Sequence, residues 1–249
     1  AVMPMPLMGG TGPGNMISMT ILGNCEVLSM LCLVQAAAPG TPFIYAPALA
    51  MMNPRTGMLS SGAIENGLLS SAAIEMARYY EIPVEGSGGG TDTFAPGIQS
   101  SYERAMNAML PLLSWPDLMV GAGLLGGSMI LSLEQLIIDA ETFRMNKQAH
   151  RGINADKDSW LDDVIQHAGP GGNFLGEKST AKSMRSGEWL IPGIGLHETQ
   201  KAWEVSGKKD IIEEAREKVE YLLSTHNPLP LGDEVEKELD KIEERAKNA

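Results

Sequence analysis

The chain has 249 residues, 43% of them hydrophobic, so it is long enough to bury a sizeable core as one large domain or two small ones. Its formal net charge of −12 argues against a nucleic-acid-binding surface, which requires clustered Lys and Arg side chains. The presence of two cysteines and the lack of a recognisable signal peptide favour a reducing, cytoplasmic location.

Charge is distributed unevenly along the chain. Residues 1–140 contain 10 acidic and 3 basic side chains, a low density that is typical of elements buried between layers. Residues 198–249 contain 14 acidic and 9 basic side chains, which predicts solvated helices. The change in composition predicts two parts, residues 1–152 and an α-helical extension over residues 153–249.

In the first part, a short β-type run is followed by a longer helical pattern four times in succession. The β-type runs cover residues 1–10, 41–47, 82–90 and 117–127, and the helical patterns that follow cover about Asn15–Ala37, Ala63–Tyr80, Gly97–Leu113 and Leu133–His150. Ser132 and Gln135 form a capping-box start for the last of these helices, and Gly152 follows its end. Four consecutive βα units predict a parallel sheet with right-handed crossovers.

The first helical pattern is an unusually apolar run from Ile17 to Ala38. Asn24, Glu26 and Gln35 interrupt it, so we expect a buried helix rather than a membrane span.

A closed (β/α)8 barrel needs twice as many units as this chain contains. The pattern therefore predicts the C-terminal half of a TIM barrel, either cut or paired with a separate first half, and an open doubly wound sheet is the alternative. A half-barrel exposes two sheet edges and apolar helix faces, so we also expect a homo-oligomer or a partner chain that supplies the missing half. After residue 152, helices are expected over 157–168, from about Glu198, and over 210–225 and 233–247.

Unusual residues cluster where the predicted strands end. Glycines follow the first, third and fourth strands and would leave an open floor on which a ligand could rest, while Tyr45 ends the second strand. The third strand, in "IPVEGSGGGTDT", has four glycines from Gly86 to Gly90, followed by Thr91 and Asp92. Backbone N–H groups in such a loop can cradle phosphate, but a carboxylate at Asp92 suits a cation better.

Three carboxylates in these loops, Asp92, Glu65 and Glu103, could balance a quaternary ammonium. Each could instead cap a helix N-terminus, an alternative at least as strong for Glu65 and Glu103. Tyr45 could add a π face to the cation or could simply pack.

Metal and redox motifs are not apparent. Cys25 and Cys32 are seven residues apart on one helical face, a spacing that predicts two small buried hydrophobic side chains rather than a metal or redox pair. The four histidines have neither the HxxxH nor the HExxH spacing of metal-binding motifs. They are His150, His167, His197 and His226.

The ordered segments "PMPLMGGTGPG", "ARYYEIPVEGSGGGTDTFAPGIQSSYE", "GPGGNFL" and "HNPLPLGDEVEKELDKI" together resemble the C-terminal half of the trimethylamine methyltransferase family. The resemblance covers essentially the whole chain. It implies half of a (β/α)8 barrel and transfer of a methyl group from a methylated amine to the Co(I) corrinoid of a small partner protein. Only the twenty standard residues occur, so the chain is similar to the branch that lacks pyrrolysine and acts on quaternary amines such as glycine betaine.

The resemblance also implies roles for individual residues. Asp92, Glu65 and Tyr45 would hold the cation, and Gly88, Gly89 and Gly90 would let the corrin of the partner approach. Further hydrogen-bonding candidates around the substrate are Thr91, Thr11, Gln99 and Glu103. Asn173 and Ser179 stand where the family leads us to expect histidine, and no residue is assigned as catalytic. Two alternatives remain: a phosphate-binding barrel that uses the Gly86–Thr91 loop, and a non-catalytic half-barrel that only binds a partner.

Overall fold

The computed structural model describes residues 1–247, in which short strands alternate with longer helices. The strands are β1 (Leu7–Met8), β2 (Ala50–Met52), β3 (Leu59–Ser60), β4 (Glu85–Ser87), β5 (Leu118–Val120), β6 (Leu124–Leu125) and β7 (Ile130–Leu131). The helices are α1 (Met16–Ala37), α2 (Ile64–Tyr79), α3 (Ile98–Leu113), α4 (Leu133–Arg151), α5 (Asp162–Ala168), α6 (Lys178–Arg185), α7 (Gln200–Val205), α8 (Ile211–Thr225) and α9 (Asp233–Lys247), with a 3-10 turn at Lys157–Ser159.

Four extended segments lie side by side in chain order. β1 pairs in parallel with β2, and β4 pairs in parallel with β5. Tyr45 joins the two pairs, because it forms a parallel bridge to Val2 on one side and to Val84 on the other. This parallel arrangement agrees with the prediction of consecutive βα units.

Two antiparallel hairpins depart from that prediction. β2 pairs antiparallel with β3, with Met51 opposite Ser60, and β6 pairs antiparallel with β7. We expected only parallel pairing up to residue 127, and this expectation is wrong because a turn at residues 53–58 folds the chain back along β2 before α2 begins. The fourth strand likewise stops at Val120 instead of continuing to residue 127. The fold is mixed α/β, and the described residues do not form a closed barrel.

The four main helices begin and end within about two residues of their predicted bounds. The Ser132 side chain caps α4 by accepting the Gln135 N–H at 3.1 Å. Gln135 does not complete a capping box, because its side chain donates instead to Asp139 Oδ1 at 2.9 Å. The Ser132 half of the predicted capping box therefore forms, whereas the Gln135 side chain hydrogen-bonds to Asp139 instead of capping the helix.

The main core lies between the sheet and the helices. Tyr45 and Val84 on neighbouring strands pack against Val27 of α1 and against Ala73, Ile74 and Ala77 of α2. The predicted second strand ended near Tyr45, but the chain stays extended to Met52, so Tyr45 lies well before the carboxyl end of that strand.

α1 is much less buried than we expected. Only Met19, Gly23 and Val27 of its 22 residues are buried, and Cys25 and Cys32 are exposed. The expectations of a buried helix and of two buried thiols are therefore wrong, because a single neighbouring helix, α2, covers one narrow side of α1. By length and composition alone α1 could also cross a membrane, although one or two such helices are weak evidence.

The region after Gly152 is helical, as expected, but more broken. The helix predicted over residues 157–168 divides into the 3-10 turn and α5, and α6 forms where no helix was predicted. The helix expected from about Glu198 begins at Gln200, where the Thr199 side chain caps it. α8 packs on α4, whereas α9 is exposed along its whole length. Residues 248 and 249, which end the predicted extension, lie outside the described residues.

The face of the sheet away from the helices is apolar and open. The register of neighbouring strands aligns side chains in two rows that cross this face. One row contains Met3, Ala46, Glu85 and Leu118, and the other contains Met5, Ala48, Ser87 and Val120. Leu118 and Val120 are 49% and 37% exposed there. We refer to these eight residues as the inner face.

Candidate functional site

Asn107 of α3 joins two of the loops at the carboxyl edge of the sheet. Its Oδ1 accepts the Gly89 N–H at 2.6 Å, and its Nδ2 donates to the carbonyls of Gly90 and Ser61 at 2.9 and 3.1 Å. Because this amide is only 1% exposed, all three hydrogen bonds are shielded from water. The glycine loop is therefore an ordered part of the protein.

Asp92 lies in the same cluster with both carboxylate oxygens engaged. Oδ1 accepts the Ser61 N–H at 2.6 Å and the Gly62 N–H at 3.3 Å, and Oδ2 accepts the Ser60 hydroxyl at 2.9 Å. The carboxylate thus fastens the glycine loop to the end of the β2–β3 hairpin. Its negative charge remains at this edge of the sheet.

Glu103 brings two further predicted residues to the cluster. Its Oε2 accepts the Thr91 hydroxyl at 2.5 Å and the Asp92 N–H at 3.1 Å, and its Oε1 accepts the Gln99 side chain at 2.7 Å. Thr91, Asp92, Gln99 and Glu103 therefore lie together, and their role around the substrate stays a prediction. The N–H groups of Gly88, Gly89 and Asp92 already have acceptors, which weakens the phosphate alternative.

A buried ion pair holds the loop that follows β5. Arg104 and Asp139 are each 2% exposed, and Arg104 Nη1 lies 2.6 Å from Asp139 Oδ2. Arg104 also donates to the carbonyls of Gly121 and Leu124, and Asp139 accepts the Gly123 N–H at 2.7 Å. Burial raises the pKa of Asp139 and lowers the pKa of Arg104, and their mutual attraction opposes both shifts.

The loop glycines allow close packing within the protein. A Cβ atom on Gly88 would lie 2.6 Å from Met119, and one on Gly90 would lie 2.6 Å from the Ser61 carbonyl oxygen. A Cβ on Gly121 would overlap the Gly88 carbonyl. The predicted open glycine floor is therefore wrong at these positions, since protein atoms fill the space. The approach of the corrin at Gly88, Gly89 and Gly90 stays a prediction.

The other predicted residues lie apart from this cluster. Tyr45 is 1% exposed in the core and donates its hydroxyl hydrogen to Asn24 of α1, so its ring is unavailable to a ligand. Burial, the largest cause, raises its pKa above the ordinary tyrosine value. The Thr11 hydroxyl accepts the Leu7 N–H within the turn after β1, and Glu65 lies half-buried in the first turn of α2.

Sequence reasoning missed the buried polar residues on α3. Ser100, Arg104 and Asn107 follow one another at intervals of four and three on the face that packs against the other elements. Polar residues at helical spacing on a buried face were the available signal, because such groups must find partners. Among residues 1–247, no group of three or more His, Cys, Asp or Glu side chains is arranged to hold a metal ion.

The family model described as trimethylamine methyltransferase (MTTB) matches residues 1–249. The chain belongs to this family. It is 32% identical to the trimethylamine methyltransferase MttB of Methanosarcina barkeri (strain Fusaro / DSM 804), over 100% of this chain and 50% of that protein. It is also 32% identical to the glycine betaine methyltransferase of Desulfitobacterium hafniense (strain Y51), over 93% of this chain and 48% of that protein.

A second Desulfitobacterium hafniense protein (strain DSM 10664 / DCB-2), also named trimethylamine methyltransferase MttB, is 28% identical over 99% of this chain and 49% of its own length. The chain thus spans about half the length of the relatives that it matches. Both substrate names occur among them, so family membership leaves the amine open. Asn173 and Ser179, which replace expected histidines, lie in the helical region, where Asn173 accepts the Leu175 N–H.

Proposed function

We propose that the chain is the C-terminal half of a methyltransferase that moves a methyl group from a methylated quaternary or tertiary amine to the corrinoid of a partner protein. The observation that carries this proposal is the family match, which extends over the whole chain. The naming of both trimethylamine and glycine betaine enzymes among the relatives supports a methylated amine as substrate. The absence of a non-standard residue favours a quaternary amine.

The half-barrel prediction becomes part of this proposal. Four parallel segments in chain order and an apolar inner face are what half of a (β/α)8 barrel would present. β1 and β5 each lack a second parallel partner among the described residues. We infer that the preceding half of a longer protein, or a separate chain of that kind, pairs with both edges and encloses the inner face.

The exposed side of α1 fits the same arrangement. Ile17, Ile21 and Leu33 are 70%, 58% and 62% exposed there, which is unfavourable for a helix in water. A neighbouring helix from the preceding half would cover them. If this is right, the chain alone self-associates, and co-expression with that half yields a defined complex in light scattering. Flotation of the chain with lipid vesicles would instead favour a membrane as the covering layer.

In the proposed reaction the chain binds and orients the amine, and a closed barrel excludes water from it. The bound corrinoid would supply a Co(I) nucleophile that accepts the methyl group. The Asp92 and Glu103 cluster lies at the carboxyl edge of the sheet, where barrel enzymes bind their ligands. Thr91 and Gln99 would contribute hydrogen bonds around the substrate, with Thr11 and Glu65 further along the same edge.

The test is amine-dependent methylation of a Co(I) corrinoid protein by the chain together with its preceding half. Glycine betaine and trimethylamine serve as donors, each assayed with and without the chain. Transfer that requires the chain supports the proposal. Binding of the corrinoid protein without transfer from either amine would instead identify a non-catalytic binding module.

A further inference from the structure

Glu85 differs from every other residue of the inner face because it carries a charge. It lies in β4, opposite Leu118 on β5 and next to Ala46 on the preceding strand. The neighbouring strand residues face the other way, since Val84 packs in the core and a Cβ on Gly86 would contact Ile74 of α2. The alternation of a strand therefore directs the Glu85 side chain to the inner face.

One oxygen of the Glu85 carboxylate, Oε1, is buried and has no hydrogen-bond partner within the described chain. Six buried side-chain polar atoms lack a hydrogen bond among residues 1–247, and five of these belong to helices. The sixth is Glu85 Oε1, and no ion pair is formed by this residue. Glu85 is half-buried, and a carboxylate oxygen such as Oε1 that is shielded from water without a partner is costly, so it indicates that a ligand or a charge is absent.

The surroundings favour one chemical class of ligand. Ala46 and Ala48 are small apolar neighbours of Glu85 across the strand pair, and the only other polar side chain in the two rows is Ser87. A methylated ammonium presents apolar methyl groups around a positive charge, and without N–H groups it recognises charge rather than hydrogen-bond acceptors. An unpartnered carboxylate among apolar side chains matches both properties.

Asp92 is less suited to this role, although the sequence favoured it. Both of its oxygens accept hydrogen bonds from Ser60, Ser61 and Gly62, whereas Glu85 Oε1 accepts none. We propose that Glu85 is the residue that binds the ammonium group of the substrate, one layer below the glycine loop. This assignment rests on the proposed methylamine function.

The direct test is Glu85→Gln in the chain assembled with its preceding half. We expect the Kd for tetramethylammonium to rise about 10- to 100-fold, the range for losing a charged partner, while the kcat for methyl transfer at saturating amine changes little. Glu75→Gln is the matched control, because it removes the same charge from an exposed position on α2. An unchanged Kd and KM in Glu85→Gln would overturn the proposal.

A second measurement begins with the wild-type assembly, so it has a decisive outcome even if the variant does not fold. Choline and its neutral isostere 3,3-dimethylbutan-1-ol have the same shape and differ in charge. The wild-type assembly should bind choline at least about 10-fold more tightly, and Glu85→Gln should reduce that preference. Equal binding of the two compounds by the wild type would overturn the proposal.

The two hypotheses fail in different ways. If the wild type binds choline with a Glu85-dependent preference but transfers no methyl group, the proposed function is wrong and the ammonium site stands. If the wild type transfers methyl groups and Glu85→Gln does so with the same KM, the ammonium site is wrong and the function stands.

Discussion

Residues 1–151 bury polar as well as apolar side chains, whereas the helical region of residues 152–247 buries very few of either. Among residues 1–247, all of the buried polar side chains lie in the first region, and only Ile194 and Ala215 are buried hydrophobic residues in the second. The first region has few charges, and several of them hold loops together. The second has many charges, and nearly all are solvated. Charge density along a sequence therefore indicates where charged side chains are, but burial decides how much they contribute to stability.

The largest expected effect is at the buried ion pair. Asp139→Asn leaves Arg104 buried without a counter-charge, so we expect a loss of about 3–5 kcal/mol in the free energy of unfolding. Urea denaturation at neutral pH measures this change. The double variant Arg104→Met with Asp139→Leu should lose much less, because it leaves no unpaired charge. Equal losses in the single and double variants would contradict this account.

The same pair predicts a pH effect of known sign. Burial raises the pKa of Asp139, so ionising this carboxylate costs more free energy in the folded chain than in the unfolded chain. Its own contribution to stability is therefore present below the unfolded pKa of about 3.9 and is lost as the pH rises through the folded value. Comparing denaturation curves of the wild type and the double variant across acidic pH isolates this component.

Glycine-to-alanine variants compare how tightly the first region and the helical region are packed. Gly67 lies where α2 meets α3, and a Cβ there would be 2.7 Å from the Asn107 carbonyl oxygen. Gly67→Ala should destabilise the chain by about 1–3 kcal/mol, because the two helices must separate. Gly176→Ala, in open space in the helical region, should change stability little. A similar change at both positions would show that α2 and α3 are less tightly packed than described.

Asp92→Asn tests a charge that also has a structural role. Asn can still accept the Ser61 and Gly62 N–H groups, so folding should be almost intact. If the charge at this edge attracts the amine, binding should weaken by about 1–3 kcal/mol in the methyl-transfer assay. If Asp92→Asn has the same KM as the wild type, Asp92 does not bind the amine and only fastens the glycine loop to the β2–β3 hairpin.

The smallest expected effect is removal of α9. A chain that ends at Gly232 loses 15 helical residues, none of which is buried, so the unfolding free energy should change by less than about 1 kcal/mol. Thermal unfolding followed by circular dichroism measures the change. A chain that ends at Lys209 is the contrasting variant, because it also removes α8 and the contact of Ala215. A large loss on removing α9 alone would reveal packing that this structure does not show.

The sequence by itself determined the periodic features. Apolar spacing and caps such as Ser132 set the four main helices to within about two residues, because these signals are local. The order of strands and helices predicted parallel pairing, and it led us to expect the glycine loop, Thr91, Asp92, Gln99 and Glu103 near one edge, where they lie together. Spacing along the chain carries that information, since consecutive βα units place successive strand ends together.

Only the tertiary structure decided which groups have partners. Tyr45 was expected at a strand end, but the strand continues to Met52, and the ring packs under α1 and α2. Asp92 was singled out by its glycine neighbours, yet residues about 30 positions earlier in the chain occupy its oxygens. Glu85 had no local feature to mark it, and it stands out only because the pleat of β4 places it on the apolar inner face without a hydrogen-bond donor. Hydrogen bonds between distant segments leave no periodic trace in a sequence, so partner assignments of this kind require the folded coordinates.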